Sequence, residues 1–175
     1  MSLWAQWYSV VAPLRAARSR QRSFLWLLVA LAGICARRDL LGVTSIVRAL
    51  GLTARCCDRL LDCFHSPAVD VACLTRLWTQ RASAIFPVHR LGGRPVLSGD
   101  GIKIPKSGRK MPAVKHLHQE SEGNTKPEYL MGHSIQVISM LVAAETSFFA
   151  VALGYRLRSI GETGCLPVRA ADYWT

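Results

Sequence analysis

Acidic residues are scarce in this chain of 175 residues, which carries 11 aspartates and glutamates against 22 lysines and arginines. The formal net charge at pH 7 is +11, and the isoelectric point is near 10.0. Such an excess of positive charge favours a polyanionic partner. The composition leaves open whether that partner is a nucleic acid or an anionic membrane surface.

The chain also lacks C-x-x-C pairs and paired clusters of cysteine and histidine, so the common structural zinc motifs are excluded. Most of its cysteines lie among apolar residues in the first half of the chain. They are predicted to be buried free thiols in a reducing compartment rather than disulfides. The six are Cys35, Cys56, Cys57, Cys63, Cys73 and Cys165.

No apolar run is long enough for a comfortable transmembrane helix, which needs about 20 residues. The longest, residues 23–35, is preceded by four arginines and closed by Arg37 and Arg38. A buried core helix is predicted there. A signal peptide with a basic leading region, or a membrane-associated segment, is the alternative.

Half of the residues are hydrophobic, so the chain is not compositionally disordered, and it has no internal repeat. The pattern changes from helical to strand-like at residues 87–95, where Gly92 and Gly93 suggest a linker. The predicted fold is α+β. A helical domain at residues 1–90 precedes a domain of antiparallel strands at residues 95–175.

Helical periodicity predicts helices over about 21–36, 39–50, 54–64 and 68–86. Gly51 stands where a helix C-terminal cap belongs, and Thr53 where the next N-cap belongs. This is the outline of a helix-turn-helix, with Arg55 and Arg59 one turn apart on its second helix. An ordinary pair of antiparallel helices is the alternative. In the last helix the predicted core side comprises Val71, Leu74, Leu77, Trp78 and Ile85.

Residues 95–104 form a predicted buried strand with Asp100 at its centre, between Gly99 and Gly101. A buried carboxylate is costly unless it is paired or bound to metal, and the glycines allow another group to approach the backbone. A carboxylate presented to a divalent cation is one interpretation. A Gly-Asp-Gly turn between two short strands is the other.

Residues 105–132 form a long polar segment that could meet phosphates, or that could be a solvated loop. Strands are predicted at residues 133–142 and 148–155, joined by a turn at 145–147. With the Asp100 strand they make an antiparallel meander, in which the last strand, apolar on both faces, is expected to be central. The basic candidates for DNA binding here are Lys103, Lys106, Arg109 and Lys110.

Five short segments in order, residues 97–103, 108–115, 117–122, 126–129 and 132–133, resemble the start of the catalytic domain of a bacterial insertion-sequence DDE transposase. Residues 44–78 resemble the N-terminal region of that group. The resemblance covers roughly residues 39–160. It implies an RNase H-like sheet whose first three strands form an antiparallel meander.

The resemblance also implies chemistry: cutting and rejoining of DNA at transposon ends, with two divalent ions, usually Mg²⁺, held by three carboxylates. Asp100 matches the first catalytic and metal-binding aspartate. The second aspartate and the glutamate have no matching positions, and Asp172 is not assigned. The expectation is therefore a truncated, catalytically incomplete transposase.

The expected partners are DNA at transposon ends and another copy or a full-length transposase, with no small-molecule substrate. The expected location is the cytoplasm of a bacterium, associated with the nucleoid. A DNA-binding module without catalysis is the first alternative. A basic membrane-associated protein is the second.

Overall fold

The computed structural model describes residues 1–39, 42–106, 113–118 and 129–157. Over these residues the chain is α+β, with five α-helices and antiparallel sheets. It divides into two compact parts: residues 1–81, called here the helical unit, and residues 82–175, the sheet unit. The division falls inside the last helix, whereas the sequence pattern changes at residues 87–95.

The helical unit is built around one central helix that is apolar on two sides. That helix, α2, has a buried side at Phe24 and Leu27 that packs on Val11 and Leu14, and its residue Ala30 packs in a second cluster. The core helix predicted from residues 23–35 is therefore confirmed. Among the described residues no helix is both long and apolar enough to cross a membrane. The helices are α1 (Leu3–Val11), a 3-10 helix (Ala12–Ala17), α2 (Gln21–Ala36), α3 (Val43–Ala49), α4 (Cys56–His65) and α5 (Val71–Ile85).

The turn between α3 and α4 has the glycine geometry that the sequence predicts. Gly51 has a φ of +62°, and its N–H donates to the carbonyl of Arg48. The N–H of Leu52 donates to the carbonyl of Val47 at 2.9 Å, which completes a Schellman cap. Both Val47 and Leu52 lie in the second apolar cluster, so the cap is anchored in the core.

The start of α4 differs from the prediction. Thr53 was expected to cap it through its hydroxyl, but the helix begins at Cys56 and has no side-chain cap. Thr53 instead accepts the N–H of Cys56 with its backbone carbonyl, at 2.9 Å. The cause is an extra turn at residues 54–55, which separates Thr53 from the first helical residue.

Helix α5 begins later than predicted, because Asp70 caps it: its Oδ1 accepts the N–H of Cys73 at 2.9 Å. Three residues of the predicted core side, Leu74, Leu77 and Trp78, pack on the first apolar cluster. The other two, Val71 and Ile85, are exposed at the ends of the helix, so that part of the prediction is wrong.

The predicted linker is a hairpin. Strands β1 (Arg90–Leu91) and β2 (Arg94–Pro95) pair around Gly92 and Gly93, both with positive φ. Two consecutive residues with positive φ are what a tight type I′ turn requires, and glycine adopts this conformation at no steric cost. The segment is thus ordered by turn chemistry.

The main sheet has β5 at its centre. Strand β3 (Leu97–Pro105) pairs along one side of β5 (Tyr129–Ala143), and β6 (Phe148–Leu157) pairs along the other. The order β3, β5, β6 confirms the predicted antiparallel connection, but β5 rather than β6 is central among the described strands. A fourth strand, β4 (Lys115–His118), pairs with the start of β5 inside the segment that the sequence treats as a loop.

The two faces of this sheet differ in burial. One face holds the buried residues Leu117, Leu130, Met140 and Val142. The hydroxyl of Ser83, in the last turn of α5, lies 3.8 Å from the sulfur of Met140 on this face. The opposite face, which we call the open face, exposes Ile102, Tyr129, Met131 and Tyr155.

The five described cysteines are free thiols, as predicted, but only Cys63 is buried. Cys35 is exposed near the end of α2, and Cys56, Cys57 and Cys73 are partly buried. An apolar neighbourhood in the sequence thus does not by itself bury a thiol, because a residue near a helix end can project past the packed surface.

Candidate functional site

Asp100 lies on the open face of β3 and is exposed. It is directly opposite Val137 of β5, and Val137 is opposite Tyr155 of β6, so the three side chains form a row on one face. One carboxylate oxygen of Asp100 accepts the N–H of Gly101 at 2.7 Å. The prediction of a buried strand is wrong here, because nothing in the described part of the chain covers the centre of β3.

The glycines beside Asp100 face empty space. A Cβ placed on Gly99 or Gly101 would meet no atom within 4 Å. The sequence interpretation gave these glycines a role in close approach to the backbone, and the described residues contain no group that approaches them.

A two-metal centre does not fit the described residues around Asp100. Such a centre needs several hard oxygen ligands, and among the described strands Asp100 is the only carboxylate in its row across the sheet. Within the described ranges, no group of three or more histidine, cysteine, aspartate or glutamate residues could hold a metal ion. Glu120, Glu122 and Glu128 lie outside the described residues. We therefore derive no catalytic step through Mg²⁺.

The basic candidates of the sheet unit lie apart from Asp100. Lys103 is exposed, and its Nζ donates to the backbone carbonyl of His118 at 2.6 Å. Lys106 is partly buried at the end of β3, and its backbone N–H donates to Met131. Arg109 and Lys110 lie outside the described residues.

A ring cluster that the sequence did not predict lies on β4 and β5. The ring of His116 stacks on Tyr129 at 5.3 Å, and the ring of His118 meets the same tyrosine edge-on at 5.2 Å. The two histidines alternate along β4, so their side chains lie on the same face of the sheet. The pattern Lys-His-Leu-His, with a buried Leu117 between exposed histidines, was the available signal for β4.

Arg55 and Arg59 are both exposed, but only Arg59 lies on α4 as predicted, because Arg55 is the residue immediately before the helix. Two aspartates lie on the same side as these arginines. Residues 55, 58, 59 and 62 have the spacing i, i+3, i+4, i+7, which places Arg55, Asp58, Arg59 and Asp62 on one helical face. All four are exposed. The formal charge of this face is therefore zero, and its arginines alternate with carboxylates that would repel phosphate.

Positive charge is concentrated in the helical unit and comes from one residue type. Residues 1–81 contain 11 arginines, no lysine and four aspartates, a formal charge of +7. The remaining residues contribute the other +4. Because the guanidinium group is planar and presents paired donors to phosphate, this choice of residue suits recognition of phosphate oxygens.

No family model, curated protein or solved structure matches this chain.

Proposed function

We propose that this chain binds DNA through its helical unit, as a protein related to DDE transposases that does not cut DNA with the described residues alone. The observation that carries the proposal is the charge of +7 on residues 1–81, supplied entirely by arginine. A charge of this size attracts the phosphate backbone and releases its counterions on binding.

The geometry of α3 and α4 supports this proposal. Two short helices joined by a glycine-capped turn are the arrangement in which helix-turn-helix proteins present a second helix to the DNA major groove. Arg55, immediately before that second helix, and Arg59, on it, are both exposed, so no rearrangement is needed for them to contact DNA.

The proposed relation to DDE transposases draws support from the strand order. Strands β3, β5 and β6 follow one another in antiparallel order with β5 in the middle. That is the order expected for the first three strands of an RNase H-like sheet, with β4 as an addition. The exposed position of Asp100 leaves it accessible to a metal ion whose other ligands would have to come from elsewhere.

The charged face of α4 offers a matched test with opposite expectations. We expect Arg55→Gln with Arg59→Gln to weaken binding to a DNA duplex and to lower the salt slope by about 0.9 for each phosphate that is no longer neutralised. We expect Asp58→Asn with Asp62→Asn to strengthen binding, because two charges that repel phosphate are removed from the same face. Fluorescence anisotropy over a salt series measures both effects.

Far-ultraviolet circular dichroism of each double variant controls for unfolding. If both double variants bound DNA like the original protein, α4 would not face DNA and the helix-turn-helix interpretation would fail. If the original protein showed no salt-dependent binding to any duplex, the proposed function itself would fail.

Asp100→Asn tests the assignment of Asp100 separately. We expect the variant and the original protein to have the same melting temperature with and without Mg²⁺, because one exposed carboxylate binds the ion too weakly to stabilise the fold. Thermal unfolding followed by circular dichroism gives the answer. A Mg²⁺-dependent rise in the original protein that Asp100→Asn abolished would place a resident metal at this carboxylate.

A further inference from the structure

A cleft of about 340 Å³ lies where α2 ends and α3 begins, and three arginines line it. Arg37 and Arg38 follow the last residue of α2, and Arg48 is in the last turn of α3. Asp39 is the one acidic residue among the described residues of the lining, which together carry a formal charge of +2. We call this feature the arginine cleft.

The floor of the arginine cleft is a fixed polar group. Ser45 is buried, with 2% of its surface exposed, and its hydroxyl donates to the carbonyl of Gly42 at 2.8 Å. The same hydroxyl accepts Nη1 of Arg37 at 3.3 Å. Nη1 also lies 3.4 Å from the carbonyl of Gly42, so the guanidinium is held in one orientation.

Arg37 retains unused hydrogen-bonding capacity. Its Nε atom is buried, and the described residues offer that N–H no hydrogen-bond partner. A buried donor without a partner is unfavourable.

The wall formed by Arg48 is held by an ion pair. Its Nη2 lies 3.3 Å from Oδ2 of Asp39, with 66% of the Arg48 side chain exposed. Arg38, also in the lining, is exposed as well. Favourable interaction with the C-terminal end of α2 explains one arginine there, but it does not explain three around a cleft.

We propose that the arginine cleft is a binding site for a phosphate group. Arg37 and Ser45 form its fixed floor, and Arg38 and Arg48 close over the phosphate oxygens from the rim. Guanidinium groups bind phosphate through paired, charge-assisted hydrogen bonds, which suits a site lined by three of them. The phosphate is either a phosphodiester of the DNA backbone or a free phosphate. Only the first source rests on the proposed DNA-binding function.

The test on the site itself uses inorganic phosphate and the full chain. In nitrogen-proton NMR spectra, we expect saturable shifts at the Nε–H of Arg37 and at the backbone amides of Ser45 and Arg48. Chloride at matched ionic strength should not produce them. The double variant Arg38→Gln with Arg48→Gln should raise the apparent Kd at least tenfold. Arg76→Gln, which removes an exposed arginine of α5 outside the cleft, should not change it.

The source of the phosphate is decided with a labelled DNA duplex over a salt series. If the cleft holds a phosphodiester, the Arg38→Gln, Arg48→Gln variant lowers the salt slope by about 0.9 relative to Arg76→Gln, as expected when one phosphate is no longer neutralised. If the slopes are equal while inorganic phosphate still saturates the cleft, the ligand is a free phosphate.

Arg37 is left unchanged in these variants, because it holds the loop through Gly42 and Ser45. The proposal is overturned if phosphate shifts the signals of many exposed arginines without saturation, and if these shifts are equally large in the double variant. If the protein binds phosphate in the cleft but binds no DNA, the proposed function is contradicted and the phosphate site is still supported.

Discussion

The helical unit and the sheet unit bury their apolar residues in different ways. In the helical unit α2 is covered on two sides, and its neighbour Leu60 has no exposed surface. In the sheet unit one face is buried, while the open face leaves Ile102 45% exposed. Burial is therefore the main source of stability in the first unit and a smaller source in the described part of the second.

This contrast determines whether the carboxylate of Asp100 needs a compensating partner. In a strand covered on both faces, a carboxylate would require a compensating partner, since burial penalises its charge. On the open face the charge stays in contact with water and requires none. The energetic argument for a site at Asp100 therefore applies only if the strand is buried, and it does not hold for the exposed strand observed.

The largest expected effect comes from truncating matched residues in the two units. Leu60→Ala should lower the free energy of unfolding by about 2–5 kcal/mol, because it leaves a cavity in a closed core. Ile102→Ala, on the open face, should cost less than about 1 kcal/mol. Urea unfolding followed by circular dichroism measures both. Equal losses would show that the open face is covered in solution.

A smaller effect is expected where helices touch. A Cβ added to Gly33 would overlap Cγ2 of Ile46, so Gly33→Ala must push α2 and α3 apart. Overpacking costs about 1–3 kcal/mol, and the better helix propensity of alanine offsets up to about 1 kcal/mol of it. Gly99→Ala is the control, since it has free space around its Cβ position.

Chemical unfolding of both glycine variants separates these effects. We expect a lower midpoint for Gly33→Ala and an unchanged midpoint for Gly99→Ala. A midpoint for Gly33→Ala above that of the original protein, as the helix propensity of alanine alone would give, would mean that α2 and α3 are not in close contact.

The smallest effect is expected at the start of α5. Asp70→Ala removes the acceptor for the N–H of Cys73, and loss of such a cap costs about 1 kcal/mol. Asp62→Ala removes an aspartate from the middle of an exposed helical face and is the matched control. Thermal unfolding should separate the two. Equal melting temperatures would show that Asp70 does not cap the helix in solution.

The helical unit was the more predictable of the two, because its determinants are local. The apolar run of residues 23–35 could bury itself only as a helix, and Gly51 could take the positive φ of a cap without strain. The two helix starts that the sequence misplaced, predicted at residues 54 and 68 and found at Cys56 and Val71, differ by a few residues, the usual range of variation for helix ends.

The sheet unit was less predictable, because its outcome depends on pairing between distant segments. Strand β4 was not predicted, because it is short and lies within a polar segment. Its only strand signal is the alternation of Leu117 with two histidines. The apolar residues on both faces of β6 predicted a central strand, whereas many of them are exposed at the described edge. Strand position depends on which partners pair, and local composition does not encode that choice.

The arginine cleft could not be predicted from the sequence at all. Arg37 and Arg38 are adjacent in the chain, but Arg48 joins them only because α3 folds back on α2. Ser45 is a fixed polar group of the cleft because it is buried, and a single serine in a short helix does not predict that burial. The resemblance to DDE transposases and the assignment of Arg55 and Arg59 as DNA contacts stay predictions.

Hydrogen exchange of the full chain with and without a DNA duplex, followed by mass spectrometry, is the decisive experiment for DNA binding by the helical unit. We expect slower exchange on DNA binding in residues 43–65, which contain α3, its turn and α4, with β3 and β5 unchanged. Slower exchange confined to β3 and β5 would contradict this expectation and would indicate that the sheet unit binds the DNA.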